Sequence, residues 1–304
     1  MLTKVNIPML VPGLDADGRY YHLRLQEQLR NERSVYDAPK QIFVLSDIEG
    51  NFKSLFLLLR NYKIIDKYLK WSFKDNHLVI LGDCFDRGEE VMECLWLIYS
   101  LEERAQRDGG HVHFILGNHE IMNMNGDWRY IHPKYAITPS GSRHPATALY
   151  DGNSELWRWL RTKNIIEQIG DILFVHGGIS EALLKLNLSV TEINELARPY
   201  YTRANELFTD PALHAILNSD ESPFWYRGYY RAAVSEGQVD TILKKFDAKM
   251  IITGHTIVDK VTSFFNGKII NVDTNHAAGV SEALFIKGNN FYRVDKDGKR
   301  ERLK

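Results

Sequence analysis

An apolar run followed at once by acidic residues organises this chain: Gln41-Ile42-Phe43-Val44-Leu45-Ser46-Asp47-Ile48-Glu49-Gly50-Asn51. Its first five residues have the β-branched and large apolar side chains of a buried strand. The carboxylates stand where that strand ends, and a turn signal follows them. Apolar residues then recur at helical spacing over 51–62. The segment therefore predicts a strand, a polar loop and a helix.

The same arrangement recurs along the chain. Strand-like runs occupy 77–81, 111–116, 172–175 and 249–252, and a second helical pattern covers 89–107. The first three runs and two helices predict a βαβαβ core with a largely parallel sheet, which gathers ligands beyond the carboxyl ends of its strands. Later runs over 261–265, 268–272, 283–286 and 290–294 alternate around turn dipeptides and predict a C-terminal β meander.

Four more polar blocks follow strand-like runs: Gly82-Asp83-Cys84-Phe85-Asp86-Arg87-Gly88, Gly117-Asn118-His119-Glu120, His176-Gly177-Gly178 and Gly254-His255-Thr256. Asp, Asn and His side chains are suitable ligands for divalent Mn, Fe or Zn. Singly, the carboxylates of Asp47 and Asp83 fit helix caps, and His176 and His255 fit polar residues in tight glycine turns. Their occurrence in one order, each after a strand-like run, favours metal binding.

These blocks resemble the calcineurin-like metallophosphoesterases and, among them, the phosphoprotein phosphatases, whose pattern is GDxHG, GDxxDRG, GNHE, HGG and a late His. The resemblance covers about residues 42–275, and the setting Trp225-Tyr226-Arg227-Gly228 is similar to the Shewanella-like branch. It implies an α/β fold of the α+β sandwich type, with mixed sheets flanked by helices. Glu49 departs from the pattern, because the family has His at this position.

The resemblance implies two divalent metal ions. Asp47, Glu49 and Asp83 would hold the first metal, and Asp83 would bridge to the second. Such a bridge brings two cations to about 3.5 to 4 Å, and a water shared between them loses its proton near neutral pH and attacks phosphorus. The implied ligands of the second metal are Asp83, Asn118, His176 and His255.

Four further residues match the family's catalytic groups. His119 would protonate the leaving oxygen, and Asp86 would hydrogen-bond to it. Arg87 and Arg227 would bind phosphate oxygens through their guanidinium groups. The alternatives are a salt bridge between Asp86 and Arg87, and a packing role for the aromatic block around Arg227.

Glu49 changes the charge of the implied site. Three carboxylates face two divalent cations, so the cluster is one unit less positive than with His. This favours harder ions, with manganese preferred and iron, zinc or magnesium as alternatives. In the alternative interpretation, Glu49 reaches past the metal to a neighbouring Lys or backbone group.

The resulting hypothesis is a dinuclear-metal phosphatase acting on phosphomonoesters, either phosphorylated Ser, Thr or Tyr in proteins or a related small monoester. The same kind of site occurs in nucleotide phosphoanhydride hydrolases and phosphodiesterases. Many phosphodiesterases carry Gly-His-x-His, whereas Ile257 stands two residues after His255. A non-catalytic metal-binding scaffold is the third possibility, although the implied catalytic groups are all present.

Composition limits the other classes of function. The chain has 304 residues, 44% of them hydrophobic, and 38 basic against 39 acidic residues give a net charge of -1. We expect no nucleic-acid surface and no membrane segment, and the two cysteines, Cys84 and Cys94, favour a reduced cytoplasmic setting. The oligomeric state is not readable from the sequence.

The expected organisation is an appended hairpin segment over 1–40 and one domain over 41–304, with rim insertions at about 121–170 and 179–237. Four other histidines have no ligand spacing, and a surface turn is expected for the last of them: His132, His144, His214 and His276.

Overall fold

The structure, a computed structural model, describes residues 6–11, 19–136, 154–232 and 234–303. The strands within these ranges are β1 (Asn6–Val11), β2 (Arg19–Arg24), β3 (Val35–Tyr36), β4 (Gln41–Leu45), β5 (His77–Ile80), β6 (His111–Phe114), β7 (Ile166–Ile169), β8 (Ile172–Val175), β9 (Met250–Thr253), β10 (Thr262–Phe264), β11 (Ile269–Asn271), β12 (Glu282–Lys287), β13 (Asn290–Asp295) and β14 (Arg300–Arg302).

The α-helices in the same ranges are α1 (Phe52–Asn61), α2 (Val91–Arg107), α3 (Asn118–Met124), α4 (Pro133–Ala136), α5 (Glu155–Leu160), α6 (Glu181–Lys185), α7 (Val190–Ala197), α8 (Pro211–Leu213) and α9 (Glu236–Lys245). Short 3₁₀ segments cover Arg198–Arg203, Gly228–Tyr230, Phe265–Gly267 and His276–Ala278, and a π-helical turn covers His214–Asn218.

Two six-stranded mixed sheets form the core. One has the order β14-β13-β12-β4-β5-β6, and the other has the order β10-β11-β9-β8-β7-β3. In the first sheet, β4, β5 and β6 are parallel and are joined through α1 and α2, which is the expected βαβαβ unit. The predicted α/β fold with mixed sheets and flanking helices is confirmed.

The two sheets pack face to face. Alternate residues of β4, Ile42 and Val44, lie in the apolar layer that also contains Phe174 of β8 and Ile252 of β9. The intervening Phe43 belongs to the layer on the other face, which includes α1 and α2. This alternation follows from the two-residue period of a strand and gives a sandwich with helices outside.

The late hairpins are divided between the sheets. β10 pairs antiparallel with β11, which runs parallel to β9, whereas β12, β13 and β14 form an antiparallel meander beside β4. Alternation and turn signals predict hairpins, but they carry no information about which sheet a hairpin joins.

The N-terminal β1 and β2 form a separate two-stranded antiparallel sheet. Part of the first expected insertion, 137–153, lies outside the described residues. The assignment of 1–40 as an appended segment and of 41–304 as one domain stays a prediction. No helix among the described residues is both long and apolar enough to cross a membrane.

A polar cluster lies at the start of β5 and β6, at the end of the strands opposite to the expected site. The buried His113 is 2.6 Å from Glu167 through Nδ1 and 3.0 Å from Nδ1 of His77 through Nε2. Nearby, Nε2 of His111 is 3.3 Å from Glu32. Burial, with the charge of His111 second, lowers the pKa of His77 to about 4. The cluster links the segment before β4 to the sheet.

Candidate active site

The expected metal ligands lie at one edge of the sandwich. Asp47 follows β4, Asp83 follows β5, and Asn118 follows β6, all three strands being parallel in one sheet. In the other sheet, His176 follows β8 and His255 follows the parallel β9. Because the carboxyl ends of parallel strands meet at one edge, residues far apart in the chain converge there.

Backbone hydrogen bonds hold these loops together. The N–H of Asp47 donates to the carbonyl of Gly82 at 3.0 Å, and the N–H of Gly254 donates to the carbonyl of His176 at 2.8 Å. Six site residues have positive φ in the left-handed region, between 47° and 69°: Asp47, Glu49, Asp83, Asp86, Arg87 and His255. Such conformations are costly for residues with side chains and concentrate at functional sites.

At two positions near the predicted ligands, only glycine leaves enough room for a neighbouring carboxylate. A Cβ at Gly117 would collide with Oδ1 of Asp83, and one at Gly254 would collide with Oδ2 of Asp47. The glycines beside Asn118 and His255 therefore leave room for the carboxylates, which explains their presence in two of the motif blocks.

The predicted second-metal ligands converge. Nε2 of His176 lies 3.1 Å from Oδ2 of Asp83 and 3.0 Å from Oδ1 of Asn118. Asp83, His176 and His255 offer three ligand atoms within 4.8 Å of one another. The other ring nitrogen of His176, Nδ1, lies 2.5 Å from the carbonyl of Leu81, an arrangement that orients Nε2 toward the cluster.

An unsatisfied nitrogen shows that this donor set fits a cation. Nε2 of His255 is buried and has no hydrogen-bond partner within the described part of the chain. A buried polar atom without a partner is unfavourable unless something binds it. Carboxylate, amide and imidazole donors around one point match the preferences of Mn, Fe and Zn.

The electrostatics also favour bound cations. Burial lowers the pKa of His176, but the charges of Asp83 and Asp47 outweigh this effect and raise it to about 10. Burial, with Asp83 a further cause, raises the pKa of Asp47 to about 6 although His176 opposes it. Clustered buried carboxylates attract positive charge, which a proton or a metal ion can supply.

Two of the predicted first-metal ligands, Glu49 and Asp83, lie close together, in a group whose third member is His119 and not the predicted Asp47. Asp47 accepts a hydrogen bond from the N–H of His255 at 3.1 Å and another from the Ser46 hydroxyl. Glu49, Asp83 and His119 place three possible ligand atoms within 4.8 Å of one another. Glu49 also forms an ion pair with Nη1 of Arg87, a partner that differs from the Lys or backbone group of the alternative interpretation.

His119 is held by Asp86. Nδ1 of His119 lies 2.5 Å from Oδ2 of Asp86, and its Nε2 lies 3.9 Å from Oδ2 of Asp83. Burial lowers the pKa of His119, but the charge of Asp83 and the hydrogen bond to Asp86 outweigh it, so the pKa is raised overall. The imidazole is therefore suited to carry a proton beside the predicted metal ligands.

Both predicted phosphate-binding arginines line the same cavity of about 240 Å³. Arg87 is half exposed, and its backbone N–H donates to the carbonyl of Tyr130 at 2.9 Å. Arg227 donates through Nη1 to the carbonyl of His255 at 2.7 Å and to the Thr256 hydroxyl at 3.2 Å. The cavity thus presents two guanidinium groups over the predicted metal ligands.

Three residues of the site were missed in the sequence. The buried carboxylate of Glu120 accepts hydrogen bonds from the N–H groups of Asp83, Cys84 and Gly117 at 2.8–2.9 Å. Asn123 donates to Asp86 at 3.0 Å. It lies one helical turn after His119, and this spacing could have identified Asn123 as a residue of the site. Asp273 is buried, lines the cavity and follows β11, so it has the strand-end position of the other acidic residues.

The remaining histidines lie elsewhere or contact the site only indirectly. His132 is half-buried and His214 is exposed, whereas His144 lies outside the described residues. His276 is buried and 3.1 Å from the carbonyl of Ser46 through Nε2. The expectation of a surface turn for His276 is wrong, because the 3₁₀ segment at 276–278 packs against the loop that follows β4.

Comparison with known proteins places the chain in a family. The model of the calcineurin-like phosphoesterases matches residues 40–259. The chain belongs to this family. It is a metal-dependent phosphatase, since relatives named as phosphatases match across most of its length.

The similarity extends to a solved structure. The crystal structure of the cold-active protein-tyrosine phosphatase of a psychrophilic Shewanella species is 36% identical, with a TM-score of 0.89, and the alignment covers 97% of this chain and 90% of that one. Shewanella-like protein phosphatase 1 of Plasmodium berghei is 28% identical over 256 residues, 79% of this chain and 68% of that protein. Shewanella-like protein phosphatase 2 of Arabidopsis thaliana is 24% identical over 299 residues, 82% and 74% of the respective chains.

Proposed function

We propose that this phosphatase hydrolyses phosphomonoesters with an aromatic leaving group, such as phosphotyrosine, at a dinuclear metal centre. The observation that carries phosphomonoester hydrolysis is the buried pair of His119 and Asp86, 2.5 Å apart, set beside the carboxylate of Asp83. A proton donor next to a metal-ligand cluster is the arrangement that phosphomonoester hydrolysis needs. The aromatic leaving group is supported separately, by the rings of Tyr130 and Trp225 that line the cavity.

The proposed metal ligands are Asp47, Glu49, Asp83, Asn118, His176 and His255. Two divalent cations bound there would polarise the phosphoryl oxygens and lower the pKa of a water. Oxygen donors outnumber the two imidazoles in this set, which supports manganese as the preferred ion.

His119 and Asp86 supply the leaving-group chemistry. Asp86 accepts from His119 and from Asn123, so both of its oxygens are engaged and its orientation is fixed. Its negative charge stabilises the protonated imidazole, which can then donate a proton from Nε2 to the departing oxygen. Proton donation is worth most when the leaving oxygen is basic.

Arg87 and Arg227 would bind the phosphoryl group. The transferred phosphoryl carries its negative charge on three equatorial oxygens, and guanidinium donors that reach them stabilise the transition state more than the ground state. The carbonyl of His255 holds the guanidinium of Arg227 before substrate enters, whereas the carbonyl of Tyr130 holds only the backbone of Arg87.

Aromatic walls favour an aromatic leaving group. The Tyr130 ring lies 5.3 Å from that of His119, the proposed proton donor, and the Trp225 ring lies 5.6 Å from that of His255. Both line the cavity. Flat rings stack well on flat substrates, and the similar Shewanella enzyme is described as a tyrosine phosphatase.

For the cellular setting, we infer a cytoplasmic enzyme that acts on phosphorylated proteins. The two cysteines, Cys84 and Cys94, are free and buried, which suits a reducing compartment.

A substrate panel tests the proposal. Purified enzyme with added Mn²⁺ would be assayed on phosphotyrosine, phosphoserine and phosphothreonine peptides of one sequence, and on bis-p-nitrophenyl phosphate as a diester. We expect the phosphotyrosine peptide to be hydrolysed fastest and His119→Asn to lose most of this activity. His132→Gln, a half-buried histidine outside the cavity, is the matched control. Faster turnover of the diester would refute the monoester assignment.

A further inference from the structure

Glu49 makes two contacts that belong to different parts of the site. Its carboxylate lies in the group of possible metal ligands with Asp83 and His119, and its Oε1 forms an ion pair with Nη1 of Arg87. A carboxylate has two oxygens and can satisfy a cation and a guanidinium together. An imidazole at this position could not, because it would offer no negative charge to Arg87.

The backbone fixes this pairing. The N–H of Glu49 donates to the carbonyl of Asp83 at 2.9 Å, and the N–H of Gly88 donates to the carbonyl of Glu49 at 3.0 Å. A Cβ at Gly88 would collide with that carbonyl, so the loops after β4 and β5 touch along their backbones. Glu49 and Arg87 both have positive φ, 47° and 58°. The contact between the loops thus brings Glu49 and Arg87 close together.

The side chains of Glu49 and Arg87 differ in solvent exposure, as expected if Glu49 connects the metal site to Arg87. The side chain of Glu49 is 12% exposed, whereas that of Arg87 is 48% exposed and faces the cavity. A guanidinium has five donors in a planar fork, so a bond through Nη1 leaves other donors for phosphate oxygens. Glu49 can therefore hold one end of Arg87 while the rest of the fork points toward substrate.

We propose that Glu49 couples metal binding to the phosphate-binding Arg87: its carboxylate would be a ligand of the first metal and at the same time anchors the guanidinium. Glu49 thereby acts as a positioning residue for Arg87 as well as a ligand. This inference rests on the proposed dinuclear metal centre, but not on the identity of the substrate.

The coupling has a definite sign. Arg87 withdraws negative charge from the carboxylate that the metal shares, so removal of Arg87 should tighten metal binding. With His at position 49, no carboxylate is shared between Arg87 and the metal. Removing Arg87 should then raise metal affinity only by relieving the general repulsion between a cation in the cavity and the metal.

A double-mutant cycle on metal affinity tests the proposal. Mn²⁺ binding to the chelator-treated protein would be measured by titration calorimetry for wild type, R87Q, E49H and the double variant, after circular dichroism has confirmed folding. In the wild-type background we expect R87Q to tighten the weaker Mn²⁺ site by about 5-fold, and in the E49H background by less than about 2-fold. E49Q replaces E49H if the latter does not fold.

R227Q is the matched control, because Arg227 lines the same cavity but bonds to the carbonyl of His255 instead of Glu49. Its effect on Mn²⁺ affinity should be the same in both backgrounds. Equal effects of R87Q in the two backgrounds, or no effect in either, would overturn the inference. Because the measurement needs no turnover, a failure of the proposed phosphatase activity would appear separately as absent hydrolysis with the coupling intact.

Discussion

Replacement of Asp86 by Asn tests the leaving-group role of His119. Asp86 is 1% exposed, lies 2.5 Å from Nδ1 of His119 and accepts from Asn123 at 3.0 Å. The Asn side chain keeps the shape but removes the charge that stabilises the protonated imidazole. A charge-assisted hydrogen bond of this kind contributes about 1.5–3 kcal/mol.

If that energy is lost from the proton-donating form, kcat should fall by about 10- to 150-fold. The loss should appear with phenyl phosphate, whose leaving oxygen needs a proton. It should be much smaller with p-nitrophenyl phosphate, because p-nitrophenolate leaves readily without one. Steady-state kinetics on both substrates at saturating Mn²⁺ measure the difference.

Metal content by mass spectrometry is the control, since Asp86 is not a proposed ligand and its replacement should leave metal content unchanged. Asn123→Ala serves as the graded comparison: it removes one of the two bonds that orient Asp86 and should give a smaller loss with the same preference for phenyl phosphate. Equal loss on the two substrates with intact metal content would refute proton donation by the pair.

Contacts outside the pair of His119 and Asp86 can also be tested by substitution. Glu120→Ala leaves three buried backbone N–H groups without their acceptor and should lower the free energy of unfolding by about 3 kcal/mol or more, measured by urea denaturation; a loss below about 1 kcal/mol would contradict the role of Glu120. The pKa of His77 is about 4 in the folded protein against 6.5 in the unfolded chain, so the unfolded chain binds more protons and stability falls as pH drops from 6.5 toward 4. Between pH 7.5 and pH 5 in EDTA, the free energy of unfolding of His77→Gln should fall by about 1–2 kcal/mol less than that of wild type, because partial exposure of His77 weakens the effect. An unchanged pH dependence of the unfolding free energy would count against this role of His77. Arg227→Ala should lower kcat/KM for a phosphotyrosine peptide by about 10- to 100-fold, and kinetics like those of wild type would show that its aromatic block only packs.

Much of the fold could be predicted because its signals are local. A buried strand such as Gln41–Leu45 is recognisable from its side chains, and the helical spacing that follows gives the βαβαβ unit. The strand-end positions of Asp47, Asp83 and His255 follow from the same local patterns. The fold class and the family can thus be recognised in the amino-acid sequence alone.

The missed features depend on contacts between distant segments. The acceptor role of Glu120 requires the loops after β5 and β6 to turn their N–H groups inward, which no local pattern shows. The pairing of Glu49 with Arg87 depends on backbone contact between two loops. Asp273 could have been predicted from the sequence, because it follows a strand-like run, but the residues around it match no motif of the family.

In the proposed metal centre Asp83 would hold two metal ions at once, and metal stoichiometry tests this bridging role. Mass spectrometry of the purified wild type in Mn²⁺ should give two ions per chain, and Asp83→Asn should reduce both occupancies because one ligand serves both sites. Retention of two tightly bound ions by Asp83→Asn, or a wild type that binds only one, would contradict a bridging role of Asp83.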